Sequence, residues 1–196
     1  MTISRPLRLA ATAALLYGTA CGRAAAPATP ETGSFPAAAL PLAEVYVLEM
    51  TGIPAGDTAV TFAAGNPRTI ILRHGEPDDA PFAEIVFPAA AFPEPDSPDS
   101  VTVTVRPRAG VYGVDIAASV PFGPGGIIRF KYPVHFAAPV EAIARYGSRA
   151  RFERALTLAY LREDGKWQLL ESERPGPDNL QARLQGEGSY LVVATR

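Results

Sequence analysis

The chain has 196 residues, 47% of them hydrophobic and 19% charged, with 20 prolines and 17 glycines. That length holds one folded domain or two small ones, and a net charge of −2 gives no electrostatic reason to expect nucleic acid as a partner. One cysteine and two histidines exclude an internal disulfide and a zinc site built from thiolates and imidazoles alone.

Arg5 and Arg8 flank the start of an apolar run of ten residues, 9–18. Such a run is too short to span a bilayer and has the size of a secretion-signal core. Cys21 follows at once, and Gly18-Thr19-Ala20-Cys21 resembles a bacterial lipoprotein processing box, whose cysteine becomes the lipidated first residue. Gly18 departs from that pattern, which prefers a leucine-like residue. Ordinary cleavage after Ala26 or Ala28 is the alternative, and would release a soluble exported protein. Lipidation consumes a thiol that would otherwise be a liability in an oxidising envelope. Two or more acyl chains hold stably, at about 0.8 kcal/mol per buried methylene. The resemblance implies a signal peptide over 1–20, lipidation at Cys21 and the membrane as a partner through the anchor. Gly22 stands where an aspartate would resemble an inner-membrane retention signal, which implies the outer membrane.

Residues 22–43 carry Pro27, Pro30, Pro36 and Pro41 among many alanines, with no sustained periodicity. They read as the rest of a lipid-anchored linker over 21–43, reaching up to about 70 Å in extended form. From residue 44 onward the apolar period is close to two, between turn signals. Strands are predicted over 45–50, 58–62, 69–73 and 82–87. Residues 88–99 hold four prolines and must form a loop, because proline cannot donate to a sheet ladder. The cleanest strand is 101–105, three valines on one face and two threonines on the other. Further strands are predicted over 112–120, 127–136, 155–161, 167–172, 180–184 and 190–194. Glu163-Asp164-Gly165 is a hairpin signal of the type I′ class. Only 139–154 can be helical, as one short turn before Gly147-Ser148 interrupts it. The pattern predicts an all-β, antiparallel β-sandwich with immunoglobulin-like layers over 44–196. Two small packed sub-sandwiches meeting near 88–99 are a variant of it.

The segments FPAAAF, VTVTVRPRAGVYGVDI, FKYPVHF, ALTLAYLREDGKWQLLES and NLQARLQGEGSYLVVAT follow in this order. Together they resemble the sandwich domain of zona-occludens proteins, netrin receptors and ankyrins, and its bacterial lipoprotein relatives. The match covers about half the chain and is one of strand shapes. Some relatives cut themselves at a His-Phe-Ser sequence before the last strand. Ser189 stands at the matching place without the histidine or the phenylalanine, so self-cleavage is not expected.

Candidates for chemistry are thin. His74 precedes Gly75-Glu76-Pro77-Asp78-Asp79, which reads as a solvated strand-end turn with a metal or calcium site as the alternative. Glu94, Asp96 and Asp99 invite the same calcium reading, with an acidic loop made rigid by its prolines as the other. His135 reads as a satisfied strand histidine. No Gly-x-Ser-x-Gly elbow is present for a serine triad. Arg145, Arg149, Arg151 and Arg154 read as a solvated basic loop, with docking to an anionic lipid or glycan as the alternative. Trp167 reads as a core or cross-strand aromatic. No catalytic residue, metal ligand or cofactor is expected. The sequence therefore predicts an exported, non-catalytic module of the cell envelope that binds or supports an unidentified envelope protein or glycan. Two alternatives stay open. A carbohydrate-binding module would need exposed coplanar aromatics drawn from Tyr112, Phe122, Tyr132, Tyr146 and Trp167. A metal-dependent hydrolase would need His74 or His135 to meet carboxylates in a cleft.

Overall fold

The computed structural model describes residues 38–92, 99–123, 125–132 and 135–196. The leader with Cys21, the first part of the linker, and Glu94 and Asp96 lie outside the described residues. In chain order the strands are β1 (Ala39–Leu40), β2 (Val45–Val47), β3 (Glu49–Met50), β4 (Thr58–Ala63), β5 (Arg68–Arg73), β6 (Pro81–Phe87) and β7 (Ser100–Pro107). There follow β8 (Gly113–Ala118), β9 (Ile127–Lys131), β10 (Phe136–Ala137), helices α1 (Val140–Tyr146) and α2 (Arg149–Ala155), and β11 (Thr157–Leu161). The last are β12 (Trp167–Leu169), β13 (Ser172–Gly176), β14 (Asn179–Arg183) and β15 (Gly188–Thr195).

The strands form an antiparallel sandwich. The larger sheet runs β1-β12-β11-β15-β8-β7-β4, with β2 also paired to β15. The smaller runs β13-β14-β9-β6-β5, and β3 pairs with β10 as a separate two-stranded patch. Alternation builds the core: Val101, Val103 and Val105 of β7 are buried, while Thr102 and Thr104 between them are partly exposed. From the smaller sheet, Ile70, Leu72, Ile85, Phe87, Ile128, Phe130 and Leu180 enter the same cluster. Burying each such side chain stabilises by about 1.5–3 kcal/mol. The strand β15 is buried on both faces: Tyr190, Val192 and Ala194 join the main cluster, Leu191 and Val193 a second one with Val45, Ala159 and Trp167.

Several sequence expectations change. The proline-rich loop does not divide two sub-sandwiches. Strands on either side of it pair with each other, β4 with β7 and β6 with β9, and share one core. The linker ends earlier than residue 43, because Ala39 and Leu40 pair with Gln168 and Trp167. The stretch 139–154 holds two helices, because Ser148 restarts the helix after Gly147 by accepting a hydrogen bond from the Arg151 amide at 3.2 Å. The segment expected as one strand over 167–172 splits, β12 joining the larger sheet and β13 the smaller. Pro175 is thereby accommodated in an edge strand.

The Asp-Gly hairpin is also a different turn. The Gly165 amide bonds the Arg162 carbonyl at 3.0 Å, and Gly165 has φ +75° while Asp164 has no positive φ. With three residues between the paired Arg162 and Lys166, the extra one takes the left-handed position, for which glycine is suited.

Tyr190 ties the start of β15 to the loop before it. Its hydroxyl accepts from the amides of Gln185 (2.9 Å) and Gly186 (3.2 Å) and donates to the Gly186 carbonyl (2.7 Å). Burial raises its ionisation far above the ordinary tyrosine value. Tyr190→Phe leaves both amides without this acceptor, so we expect it to lower stability by about 1–3 kcal/mol, read as a reduced denaturant midpoint with an unchanged slope.

Candidate functional site

The two histidines of the chain are 61 positions apart in sequence and adjacent in the fold, with ring centroids 4.7 Å apart. His74 follows β5, held by a bridge to Ala55 and by its amide bonding the Ala80 carbonyl at 2.8 Å. His135 stands just before β10, and its carbonyl accepts from the Thr51 amide at 2.7 Å. The β3–β10 patch thus brings His135 to the end of β5, where the turn after His74 supplies Asp78.

His74 is only 4% exposed, whereas Glu76, Pro77, Asp78 and Asp79 of the turn after it are exposed, as expected of a solvated turn. The His74 ring packs edge-on against Phe82 at 5.3 Å and faces Tyr112 at 6.4 Å. Nδ1 bonds the Ile53 carbonyl at 3.0 Å. A carbonyl only accepts, so Nδ1 carries the proton and Nε2 the lone pair. His135 bonds the Asp78 carboxylate through Nε2. That contact satisfies it, although it lies outside a strand. Tyr112, fully buried and stacked on Phe82 at 5.2 Å, has a hydroxyl with no hydrogen-bond partner. Burial pushes its ionisation strongly upward, the His135 backbone amide opposes this, and the Asp78 charge adds to it.

Several other charged side chains are engaged in structural pairing. On the outer face of the smaller sheet, Glu84 bonds Arg129 and Lys131, both at 2.7 Å, and Arg129 also reaches Gln181 at 3.0 and 2.8 Å. Ser189 donates to Asp115 at 2.5 Å, and Arg108 bonds both, at 2.8 Å to Asp115 and 3.1 Å to Ser189. Arg174 donates to the carbonyls of Glu153 (2.7 Å) and Leu156 (2.9 Å) and to the Tyr132 hydroxyl (2.6 Å), capping the end of α2. Of the basic cluster, Arg149 pairs with Glu153 at 2.9 Å and lies over the Phe136 ring; Arg145, Arg151 and Arg154 are exposed.

Among the aromatics a sugar platform would need, Tyr112, Phe122, Tyr132 and Trp167 are buried, and half-buried Tyr146 donates to the Thr195 carbonyl at 2.7 Å. Those side chains form no exposed platform, and Trp167 has the core role expected of it. Of the acidic residues singled out, Asp79 faces Arg73 at 3.7 Å, and Asp99 is exposed with its carbonyl taking the Ala64 amide. Among the described residues no three histidine, cysteine, aspartate or glutamate side chains form a ready-made metal cluster. No helix among them is long and apolar enough to cross a membrane.

Sequence reasoning missed Asp78 as the partner of His135, Tyr112 as an unsatisfied hydroxyl, and Gly52. A side chain at 52 would place its Cβ 2.7 Å from His135 Nδ1. The one signal available was compositional: the chain has two histidines, and His74 stands beside an acidic turn. Compared with known proteins, the chain matches no family model, no curated protein and no solved structure.

Two outcomes test this geometry. Gly52 has φ +85°, so Gly52→Ala combines backbone strain with displacement of the His135 ring. We expect a loss of about 1–3 kcal/mol and altered imidazole resonances for His135 in NMR spectra. The second concerns Glu84. Burial, the largest single influence, works to raise its ionisation, but Lys131 and Arg129 outweigh it and hold the carboxyl below the ordinary glutamate value. Its folded value lies under its unfolded one, so its stabilisation is present above about pH 4.3 and lost as pH falls through the folded value. Glu84→Gln should flatten the acid limb of the stability curve in that window.

Proposed function

We propose that this chain is an exported, lipid-anchored, non-catalytic module of the bacterial cell envelope. The observation that carries the reading is Cys21, placed directly after a secretion-signal core and before a proline- and alanine-rich stretch leading into the first strand. Cys21 takes the lipid at the outer membrane, the stretch after it gives reach, and the sandwich contacts an envelope protein or glycan. No nucleic acid is involved. The strand order that resembles the zona-occludens, netrin-receptor and ankyrin sandwich fits such a binding or supporting role.

The chemistry near the histidines supports a non-catalytic reading. Attack by Tyr112 would require its ionisation, which burial opposes. The hydroxyl of Ser189 is engaged with Asp115 and Arg108 elsewhere.

The test is cell fractionation with lipid labelling. The full-length protein should sediment with membranes and incorporate labelled fatty acid. Cys21→Ala should move it to the soluble fraction without label. A wild-type chain that is soluble and unlabelled would overturn the anchored reading and favour ordinary signal cleavage.

A further inference from the structure

We propose that His74 and His135 together bind one divalent late first-row transition-metal ion, with Asp78 orienting His135. This goes beyond the anchored-module reading and does not depend on it.

The first support is the state of the four ring nitrogens. His74 gives Nδ1–H to the Ile53 carbonyl at 3.0 Å, and His135 gives Nε2–H to the Asp78 carboxylate. Each ring is thereby fixed in a tautomer whose other nitrogen, His74 Nε2 and His135 Nδ1, carries a lone pair. Metal-binding histidines are prepared in this way: one nitrogen is tied to a carbonyl or carboxylate, which fixes the tautomer and ring orientation and makes the other a better ligand.

The second support is separation. Two imidazoles sharing one ion at about 2.1 Å per nitrogen hold their centroids about 4.6–5.3 Å apart for ligand angles of about 90–110°. The observed 4.7 Å lies within that interval.

The third support lies outside the two imidazoles. The Tyr112 hydroxyl is buried without a partner, and its ring stands edge-on to the His74 ring at 6.4 Å. An orphaned buried hydroxyl is costly, and a water on the bound ion would give it a partner. Two imidazoles with water completing the coordination favour copper, zinc or nickel over magnesium or calcium. The pair is therefore an open site, in accord with the absence of a three-residue cluster among the described residues.

The experiment uses the full chain without a histidine tag, carrying Cys21→Ala so that no thiol competes. Zinc chloride and copper chloride are titrated separately by isothermal calorimetry, with calcium chloride as the hard-ion control. The expected result is saturable binding of zinc and copper at one ion per chain, with no calcium binding. His74→Gln and His135→Gln should each abolish it, and Asp78→Asn should weaken it about 10–100-fold. Because a buried histidine variant can fail to fold, the unsubstituted site is also followed by NMR. Zinc should shift the imidazole resonances of His74 and His135 together, complete at one equivalent. Absence of binding, binding unchanged in a folded histidine variant, or shifts confined to one imidazole or to the acidic loops would overturn the proposal.

Discussion

Three segments of the chain meet at Val192, and the larger sheet depends on how they share hydrogen bonds there. The Leu48 amide donates to the Val192 carbonyl at 2.9 Å, the Val192 amide to the Tyr112 carbonyl at 2.8 Å, and the Tyr112 amide to the Leu48 carbonyl at 2.9 Å. All three residues are fully buried, where each of these backbone groups must find a partner. The ring of bonds lets one edge of β15 pair with β8 over its first half and with β2 over its second. The other edge of β15 pairs with β11. A strand covered on both edges and both faces leaves little freedom to its neighbours.

The histidine group inherits its geometry from that junction. Tyr112 is fixed through its backbone, its ring stacks on Phe82, and Phe82 is the surface against which the His74 ring stands. Beyond Leu48 the chain continues as β3, whose Met50 amide bonds the Gly110 carbonyl at 2.9 Å and whose pairing with β10 brings in His135. His74 sits at the bridge that follows β5 and His135 next to the first paired residue of β10, so paired backbone adjoins both, as a precise site requires. The outer ladder around Glu84 serves a different end, pairing charges of β6 and β9 on a half-exposed face.

Much of the fold was legible because alternation is local. The β7 pattern Val101-Thr102-Val103-Thr104-Val105 states which face is buried without reference to any other strand, and the sandwich follows from repeating that reading. What could not be read required knowledge of pairing. The run 45–50 has continuous strand character, but Leu48 interrupts it because its backbone is used at the junction. The alternation over 167–172 gives no sign that the chain changes sheets after Leu169. The turn at Gly165 depended on counting three loop residues rather than recognising the Asp-Gly pair. For the site, residue type identified His74 and His135 as the only imidazoles. Their meeting rests on contacts between positions 74, 78, 112 and 135, and no local period encodes a separation of that kind.

Native-state hydrogen exchange at single amides tests the central claim most directly. If the junction organises the larger sheet and the histidine group, the amides of Leu48, Tyr112 and Val192 should exchange only through global unfolding, with one shared free energy matching the denaturant value. Exchange of the Tyr112 or Leu48 amide through a local opening well below that energy, while Val192 stays protected, would contradict the account.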